Sequence, residues 1–263
     1  MASVLSLFSL QGETAIITGS TRGIGAGMAI ALASAGATVL LAQRDISNTS
    51  TKSRIEAAGG TAHIYHCDVS SSASVTALLP AILADGHNPT ILVQAAGITI
   101  RHPAEDFPDA DYHAVLQANL HSCFTLARTF GAHLLSAAPA SPSTGRRGTI
   151  IFIASLMSFQ GGLYVPAYAA SKGGIASLTK ALSNEWAGRG ITVNAIAPGY
   201  VRTDMTAAVE ADPERGPAIL ARIPAGRWGE AEDFEGVVVF LASRASAYVS
   251  GEIVTVDGGW MGR

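Results

Sequence analysis

The chain has 263 residues, of which 48% are hydrophobic and only 14% are charged, so it contains ample apolar material for a buried core. Its formal net charge of −3 offers no basic surface to nucleic acid or to an anionic membrane. Because Cys67 and Cys123 are its only cysteines and no apolar run approaches the ~20 residues of a membrane span, we expect no disulfide framework, no metal site and no transmembrane helix.

The N-terminal residues 1–11 contain apolar positions but lack a basic start and a small-residue cleavage site, so no signal peptide is predicted. This favours a cytoplasmic protein. The length suits a single α/β unit, and no internal repeat is visible. We therefore predict one domain over residues 1–263.

A glycine-rich loop, TGSTRGIG, lies between a predicted strand at residues 14–17 and a predicted helix at 26–35. Glycines let the backbone approach a pyrophosphate, and the helix N-terminus supplies free N–H groups. Such a loop alone is often only a turn, but a further strand at 38–42 completes the order that a dinucleotide site needs. The cofactor-binding residues predicted here are Gly19, Thr21, Arg22, Gly23, Ile24 and Gly25.

The end of the second strand is the place where a dinucleotide fold reads the ribose of its cofactor. Gln43 stands where an acid would bind a free 2′-hydroxyl, and Arg44 follows it. Together with Arg22, Arg44 could bind a 2′-phosphate. We therefore predict NADP(H) rather than NAD(H), although Asp45 and a simply solvated Arg44 keep the alternative open.

A second pair of cofactor contacts is predicted at Asp68 and Val69, after a helix at 48–58 and a strand at 62–65. In this kind of fold, the Asp68 carboxylate would meet the adenine amino group. The alternative is a turn or helix cap before the predicted helix at 72–84.

The small residues Ala95 and Gly97 follow a predicted strand at 90–94 and would let the cofactor ribose lie against the backbone. Residues 107–135 form one long predicted helix or two in tandem. Asn119 lies in its interior, where asparagine is a mediocre helix former, and this hints at a kink or a bound water. A satisfied buried amide is the alternative.

The segment from 137 to 148, rich in Ala, Pro, Ser and Gly, is predicted to be a mobile surface loop. The apolar strand at 150–154 then ends at Ser155, and Tyr168 and Lys172 follow on a predicted helix. Residues four apart share a helix face, so a lysine ammonium can favour the ionised form of the tyrosine and make it a proton carrier. Taken alone, Tyr168 and Lys172 could equally be a Tyr-x-x-x-Lys pair of the kind that is common on helix surfaces.

Beyond this helix, a strand is predicted at 192–197 and ends at Pro198 and Gly199. Helix-like segments at 203–226 would form a lid over the site. A helix at 231–241 and a strand at 253–256 complete the alternation. The predicted fold class is α/β, a single Rossmann-type, doubly wound parallel sheet of about seven strands with helices on both faces.

Together these residues resemble the classical short-chain dehydrogenases/reductases over nearly the whole chain. The resemblance rests on Thr18-Gly19-x-x-x-Gly23-x-Gly25, Asn119, Ser155, Tyr168-x-x-x-Lys172 and Pro198-Gly199. One departure is Gln94-Ala95-Ala96-Gly97, where the family usually has Asn-Asn-Ala-Gly. This departure puts the side-chain bonds that support the central strand in doubt.

The resemblance implies that Tyr168 is the general acid/base, that Lys172 binds the nicotinamide ribose and assists Tyr168, and that Ser155 holds the substrate oxygen. It implies that Asn119 anchors a water, and that Pro198, Gly199, Val201 and Thr203 receive the nicotinamide carboxamide. Members of the family commonly form homotetramers, which we expect here. The implied reaction is hydride transfer between the nicotinamide and a secondary alcohol or ketone.

Several segments are similar to a bacterial branch that acts on 2-deoxy- or 2-keto-3-deoxy-gluconate and tends to use NAD(H). A sugar acid needs a cation and several polar side chains, and the candidates are Arg101, Gln160 and Tyr200 together with Ser155 and Tyr168. Arg202 is a further candidate or an ordinary rim residue. The rival functions are a reductase of acyl or secondary-metabolite ketones and a non-catalytic dinucleotide-binding protein.

Overall fold

The computed structural model describes residues 3–137 and 146–263. Seven parallel strands form one sheet in the order β3-β2-β1-β4-β5-β6-β7. The strands are β1 (Thr14–Thr18), β2 (Thr38–Gln43), β3 (Thr61–His66), β4 (Ile91–Gln94), β5 (Gly148–Ile153), β6 (Ile191–Pro198) and β7 (Ile253–Val256). With helices on both faces, the sheet confirms the predicted Rossmann-type α/β class.

Helices follow the strands in alternation. They are α1 (Gly23–Ser34), α2 (Ser50–Ala57), α3 (Ser72–Ala84), α4 (Asp109–Leu116), α5 (Ser122–Ser136), α6 (Pro166–Trp186), α7 (Ala207–Glu210), α8 (Arg215–Arg222) and α9 (Glu235–Ala242). Residues of α3, α5 and α6 share one core cluster with the sheet, and residues of α1, α2 and α9 share the other. The sheet is therefore covered on both sides.

The central strands are apolar on both faces because both faces are covered. Ile16 belongs to one core cluster and its neighbour Ile17 to the other, and neither side chain is exposed. This two-sided burial explains why the strands appear in the sequence as continuous apolar runs rather than as alternating patterns.

The strand order reverses between β1 and β4, which pair in parallel with Thr18 opposite Gln94. In open α/β sheets, ligands bind in the crevice beyond the carboxyl ends of the strands at such a switch point. The loops after β1, β4, β5 and β6 all open at this edge. They carry most of the site residues predicted from the sequence.

Residues 107–135, predicted as one long helix or two in tandem, form two α-helices, α4 and α5, joined by a π-helical turn over Gln117–His121. The irregularity expected at Asn119 lies within this turn, where Asn119 is fully buried. Wide turns of this type are rare and often occur at functional sites.

The predicted surface loop at 137–148 falls mostly on residues 138–145, which lie outside the described residues. Strand β5 already begins at Gly148, two positions before the predicted start. None of the helices described is long and apolar enough to cross a membrane.

Candidate active site

Two glycines of the loop after β1 lie in close contact with neighbouring backbone. A Cβ placed on Gly25 would lie 2.2 Å from the carbonyl oxygen of Gly19, and one on Gly19 would lie 2.7 Å from Cα of Ala96. Gly19 also has a φ of +70°, which side-chain-bearing residues rarely adopt. The loop therefore packs against the segment after β4 and leaves a surface that backbone atoms alone define.

The N-terminus of α1 points out of this loop. Its N-cap, Arg22, makes no side-chain hydrogen bond to the first turn, so the free N–H groups there are available to an anion. Glycines that admit close approach, followed by an uncapped helix end, fit the pyrophosphate of a dinucleotide. Thr21 and Ile24 are half-buried beside them.

Arg22 itself makes an exposed ion pair, 2.6 Å, with Asp204 at the start of the predicted lid. Gly23 lies next to the lid as well, because a Cβ on it would lie 3.4 Å from the Thr203 methyl group. The glycine-rich loop and residues 203–204 thus contact each other, a contact that the sequence did not reveal.

Gln43 and Arg44, the two candidates for recognising the cofactor ribose at the end of β2, have different surroundings. Gln43 is 3% exposed, and its amide nitrogen donates to the carbonyl oxygens of Asp45 (2.7 Å) and Asn48 (2.8 Å). Both amide hydrogens are thereby occupied in holding the loop. Arg44 is exposed, and its guanidinium lies within electrostatic range of the Asp45 and Asp68 carboxylates.

Asp68 has the turn contacts that we gave as the alternative to an adenine contact. One carboxylate oxygen accepts hydrogen bonds from the Ser70 hydroxyl (2.7 Å) and backbone N–H (2.9 Å), and these bonds hold the pKa of Asp68 below its usual range. The carbonyl oxygen of the adjacent Val69 accepts a hydrogen bond from Gln117 on the π-helical turn. Among the described residues, no hydrogen bond reaches the second carboxylate oxygen of Asp68.

Asn119 ties the π-helical turn to the segment after β4. Its amide oxygen accepts the Ile98 N–H at 2.8 Å, and its amide nitrogen donates to the Ile98 carbonyl oxygen (2.8 Å) and to the Ser171 hydroxyl (3.2 Å). A Cβ on Gly97 would lie 3.2 Å from the Asn119 amide oxygen and 3.9 Å from Lys172 Nζ. Asn119, Gly97 and Lys172 therefore meet at one place.

The departure at Gln94 does not leave the central strand unsupported. Its side-chain amide donates to the carbonyl oxygen of Cys123 in α5 at 3.1 Å. On the other side, the backbone N–H of Ala96 donates to the Thr18 hydroxyl at 3.2 Å, which joins the segment containing Ala95 to β1. These bonds fasten the loop after β4 on both sides.

Tyr168 and Lys172 share α6, and Lys172 joins this helix to the carboxyl end of β5, the strand that Ser155 follows. Lys172 is 5% exposed and donates from Nζ to the carbonyl oxygen of Ile153 at 2.6 Å, and the same Nζ lies 5.6 Å from the centroid of the Tyr168 ring. The Ser155 hydroxyl oxygen accepts the Met157 N–H at 3.2 Å and keeps its hydrogen for another partner. The site therefore holds a phenol, an ammonium and a hydroxyl donor together.

Ser158 was missed by the sequence reasoning, although it holds this arrangement together. Its hydroxyl donates to the carbonyl oxygen of Lys172 at 2.7 Å and so fastens the turn after Ser155 to α6. Only the fold brings these two segments into contact, and no motif indicates the bond.

The segment from Pro198 to Thr203 follows β6 on the same edge. The Gly199 N–H donates to the Val256 carbonyl oxygen at 2.9 Å, and a Cβ on Gly199 would lie 2.6 Å from Cα of Asp257. Val201 is 3% exposed and bridges Gly229. This backbone path brings Thr203 to the glycine-rich loop.

The other three candidate substrate residues lie on separate segments, and two of them, Gln160 and Tyr200, contact Trp260. Arg101 is exposed, Gln160 accepts the Trp260 indole N–H at 3.3 Å, and Tyr200 packs edge-on against Trp228 with ring centroids 5.6 Å apart. Arg202, by contrast, makes ion pairs with Glu210 (2.7 Å) and Glu230 (2.5 Å). These pairs agree with its interpretation as a rim residue.

The loop with Arg101 is held by contacts that the sequence did not predict. The His102 N–H donates to the carbonyl oxygen of Tyr164 at 3.1 Å, and the His102 ring contacts the Asp111 carboxylate at 2.8 Å. Tyr164 has a φ of +67°, and it is the only residue other than glycine in the described part of the chain with a positive φ. Strain of this kind often occurs where a loop is shaped for a ligand.

Neither cysteine has the character of a nucleophile. Burial raises the pKa of the Cys67 thiol to about 11, and burial also raises the pKa of Cys123 above its ordinary value. Both thiols are free in the structure. The proton-carrying groups of the site are therefore those on β5 and α6.

A doubly wound parallel sheet, a pyrophosphate loop at its switch point and a Ser-Tyr-Lys group beside it define an oxidoreductase that uses a nicotinamide dinucleotide. Comparison with known proteins gives the family. Residues 19–261 match a short-chain dehydrogenase-type family model described as enoyl-(acyl carrier protein) reductase.

A 2-dehydro-3-deoxy-D-gluconate 5-dehydrogenase from Pseudoalteromonas atlantica is 47% identical over 262 residues, which cover 99% of this chain and 100% of that protein. A solved structure from Agrobacterium tumefaciens with bound NADP is 43% identical, with a TM-score of 0.88 and coverage of 98% of this chain and 99% of that one. A gluconate 5-dehydrogenase from Burkholderia cenocepacia, solved with NADP and tartrate, is 35% identical, with a TM-score of 0.91 and coverage of 99% and 100%.

The chain belongs to the short-chain dehydrogenase/reductase family. It is an oxidoreductase that acts on CH–OH groups with NADP or NAD as the hydride acceptor.

Proposed function

We propose that this protein is a sugar-acid dehydrogenase that interconverts a secondary hydroxyl and a ketone, with 2-dehydro-3-deoxy-gluconate as the leading substrate and NADP(H) as the preferred cofactor. The observation that carries this proposal is the Tyr168–Lys172 pair on α6, which Lys172 ties to the end of β5, the strand that Ser155 follows. The activities of two relatives, a 2-dehydro-3-deoxy-D-gluconate 5-dehydrogenase and a gluconate 5-dehydrogenase, support the choice of substrate class.

In the proposed mechanism, Tyr168 takes the hydroxyl proton as the alcohol is oxidised and returns it in the reverse direction. Lys172 supports Tyr168 by placing a positive charge below its ring, and the Ile153 carbonyl oxygen holds the ammonium in place. Ser155 donates its free hydroxyl hydrogen to the substrate oxygen. The cofactor, when bound, accepts or supplies the hydride.

The remaining predicted contacts serve binding. Gly19, Gly25 and the uncapped end of α1 would hold the pyrophosphate, whereas Asn119 and Gly97 would shape the place of the nicotinamide ribose. Arg44 would bind the 2′-phosphate. Arg22 would also bind this phosphate once its ion pair with Asp204 opens. This pair is exposed, so opening it costs at most about 1 kcal/mol.

The chemistry of a sugar acid matches the candidate substrate residues. Arg101 offers a cation for the carboxylate, and the Gln160 amide and the Tyr200 hydroxyl offer hydrogen bonds to hydroxyl groups. Residues 203–226 would close over this mouth, since α7 and α8 place Val209 and Ile219 in one buried cluster with Leu156, the residue after Ser155.

The purified enzyme is expected to oxidise or reduce a sugar acid with a kcat/KM at least about tenfold above that for uncharged secondary alcohols and ketones. The measurement is steady-state absorbance at the nicotinamide band over a panel of sugar acids, uncharged sugars, diketones and acyl ketones. Each substrate is tested with NADPH or NADP and, in parallel, with NADH or NAD.

A preference for acyl ketones would contradict the sugar-acid proposal and favour the rival ketone reductase. Equal or better kinetics with NADH would contradict the preference for NADP and leave the reaction class intact.

We further propose that the protein is a cytoplasmic homotetramer. An apolar side chain on α5, Phe124, is 42% exposed and would be covered by assembly. Sedimentation equilibrium is expected to give the mass of four chains of 27.0 kDa each. A monomer mass at micromolar concentration would contradict this expectation, and Phe124→Glu is expected to weaken the assembly.

A further inference from the structure

The C-terminal turn places a tryptophan against one of the candidate substrate residues. Trp260 is 4% exposed, and its indole N–H donates to the side-chain oxygen of Gln160 at 3.3 Å. An indole can only donate, so this bond determines which end of the amide faces the ring. Among the described residues, the Gln160 amide nitrogen has no hydrogen-bond partner. Both amide hydrogens are therefore available to a ligand.

The Trp260 ring is itself held in a defined position. The Asp257 carboxylate accepts the N–H groups of Gly259 and Met261, each at 2.8 Å, and so closes the turn around the tryptophan. The Arg222 guanidinium, at the end of α8, stacks over the ring at 3.9 Å from its centroid. Because the ring is fixed from both sides, it can hold the Gln160 amide in one orientation.

The same ring packs against a second candidate substrate residue. The Tyr200 and Trp260 centroids are 4.7 Å apart with the planes tilted by 58°. Trp260 also shares a buried cluster with Leu156, next to Ser155, and with Ile223, next to α8. The Trp260 side chain thus links Gln160, the segment after β6 that contains Tyr200, and the predicted lid that contains Ile223.

An amide nitrogen with two free hydrogens recognises oxygen acceptors, that is, a hydroxyl, a ketone or a carboxylate oxygen. An amide that rotates freely would present its oxygen half of the time and would repel a carboxylate. Fixing the amide oxygen on the indole keeps the two amide hydrogens for oxygen acceptors, and this favours an acidic, oxygen-rich substrate over an apolar ketone.

We propose that Trp260 is a positioning residue for substrate specificity, because its indole N–H holds the Gln160 amide with both hydrogens free for a carboxylate or hydroxyl oxygen of the substrate. This inference rests on the proposed sugar-acid function and deepens it. Trp260 need not contact the substrate, since it acts through Gln160.

The test is a double-mutant cycle with Trp260→Phe, Gln160→Leu and the double variant, assayed with the best sugar acid of the wild-type panel and NADPH. Trp260→Phe is expected to raise the KM for the sugar acid about tenfold, with kcat and the KM for NADPH changed by less than about threefold. Gln160→Leu is expected to have the same or a larger effect. The double variant is expected to be no worse than Gln160→Leu alone, because the two residues act as a unit.

Two further variants separate positioning from packing. Trp228→Phe shortens a side chain that is as buried (2% exposed) and also contacts Tyr200, so it reports the effect of lost packing and is expected to raise the sugar-acid KM by clearly less than Trp260→Phe does. Gln160→Glu keeps an oxygen for the Trp260 N–H but replaces the amide hydrogens with a charged oxygen. It is expected to raise the sugar-acid KM at least as much as Trp260→Phe.

Strictly additive effects in the cycle would overturn the inference, as would a sugar-acid KM that rises equally in Trp260→Phe and Trp228→Phe. Either result, obtained with a wild type that turns over sugar acids, would leave the proposed function standing. A wild type that turns over only apolar ketones would overturn the proposed function and this inference together.

Discussion

Tyr168→Phe is expected to lower kcat by about 10²- to 10⁴-fold, the range that a positioned proton carrier contributes. The substitution keeps the ring over the Lys172 ammonium and removes only the hydroxyl. Ser155 can still donate to the substrate oxygen, but no group of the Ser-Tyr-Lys set is left to accept the alcohol proton. The chemical step should therefore fail while the cofactor still binds.

The measurement combines steady-state turnover of the best panel substrate with a fluorescence titration of NADPH. The dissociation constant of NADPH is expected to stay within about threefold of the wild type, because the predicted phosphate contacts lie on the loop after β1, at the start of α1 and at Arg44 after β2. Tyr65→Phe is a matched control. Tyr65 lies on β3, and its hydroxyl donates to the Asp85 carboxylate at 2.9 Å. Removing this hydroxyl should leave turnover unchanged. A Tyr168→Phe enzyme with more than about a tenth of wild-type turnover would refute the assignment.

The sequence predicted the fold well because the sheet is buried on both faces. Continuous apolar runs indicated the central strands, and the predicted bounds of all seven strands differ from the observed ones by at most two residues. The predicted helix at 107–135 was less accurate in detail. Asn119 is the satisfied buried amide that we gave as the alternative, and it lies in a π-helical turn, which depends on what the widened turn contacts and which no local preference specifies.

The candidate site was predictable where one local segment carries the chemistry. Tyr168 and Lys172 share a helix, and the TGSTRGIG loop joins a strand to a helix, so spacing alone brings each set together. Contacts between distant segments were not predictable in this way. The Trp260–Gln160 bond joins residues 100 positions apart, and the pairing of Arg22 with Asp204 depends on where the predicted lid begins.

Gly25→Ala is expected to weaken the binding of NADPH by at least about tenfold and to lower the thermal midpoint of unfolding. Gly25 has an ordinary φ, so the effect is steric rather than conformational. The new methyl group would lie 2.2 Å from the carbonyl oxygen of Gly19 and 3.4 Å from the Ala95 methyl group. Gly19 in turn packs on the backbone of Ala96, so the loop has no free direction in which to retreat.

Overpacking of this kind costs typically about 1–3 kcal/mol, and here the strain falls on the backbone that would hold the pyrophosphate. Calorimetric titration of NADPH and a thermal melt measure the two effects separately. Gly236→Ala on α9 is the control, since a Cβ there meets nothing within 4 Å. It should raise the free energy of unfolding by about 0.5–1 kcal/mol through helix propensity and leave NADPH affinity unchanged. If Gly25→Ala bound NADPH within about twofold of the wild type, the loop could not be the pyrophosphate site, because a shifted backbone would then have no effect on the ligand it is proposed to hold.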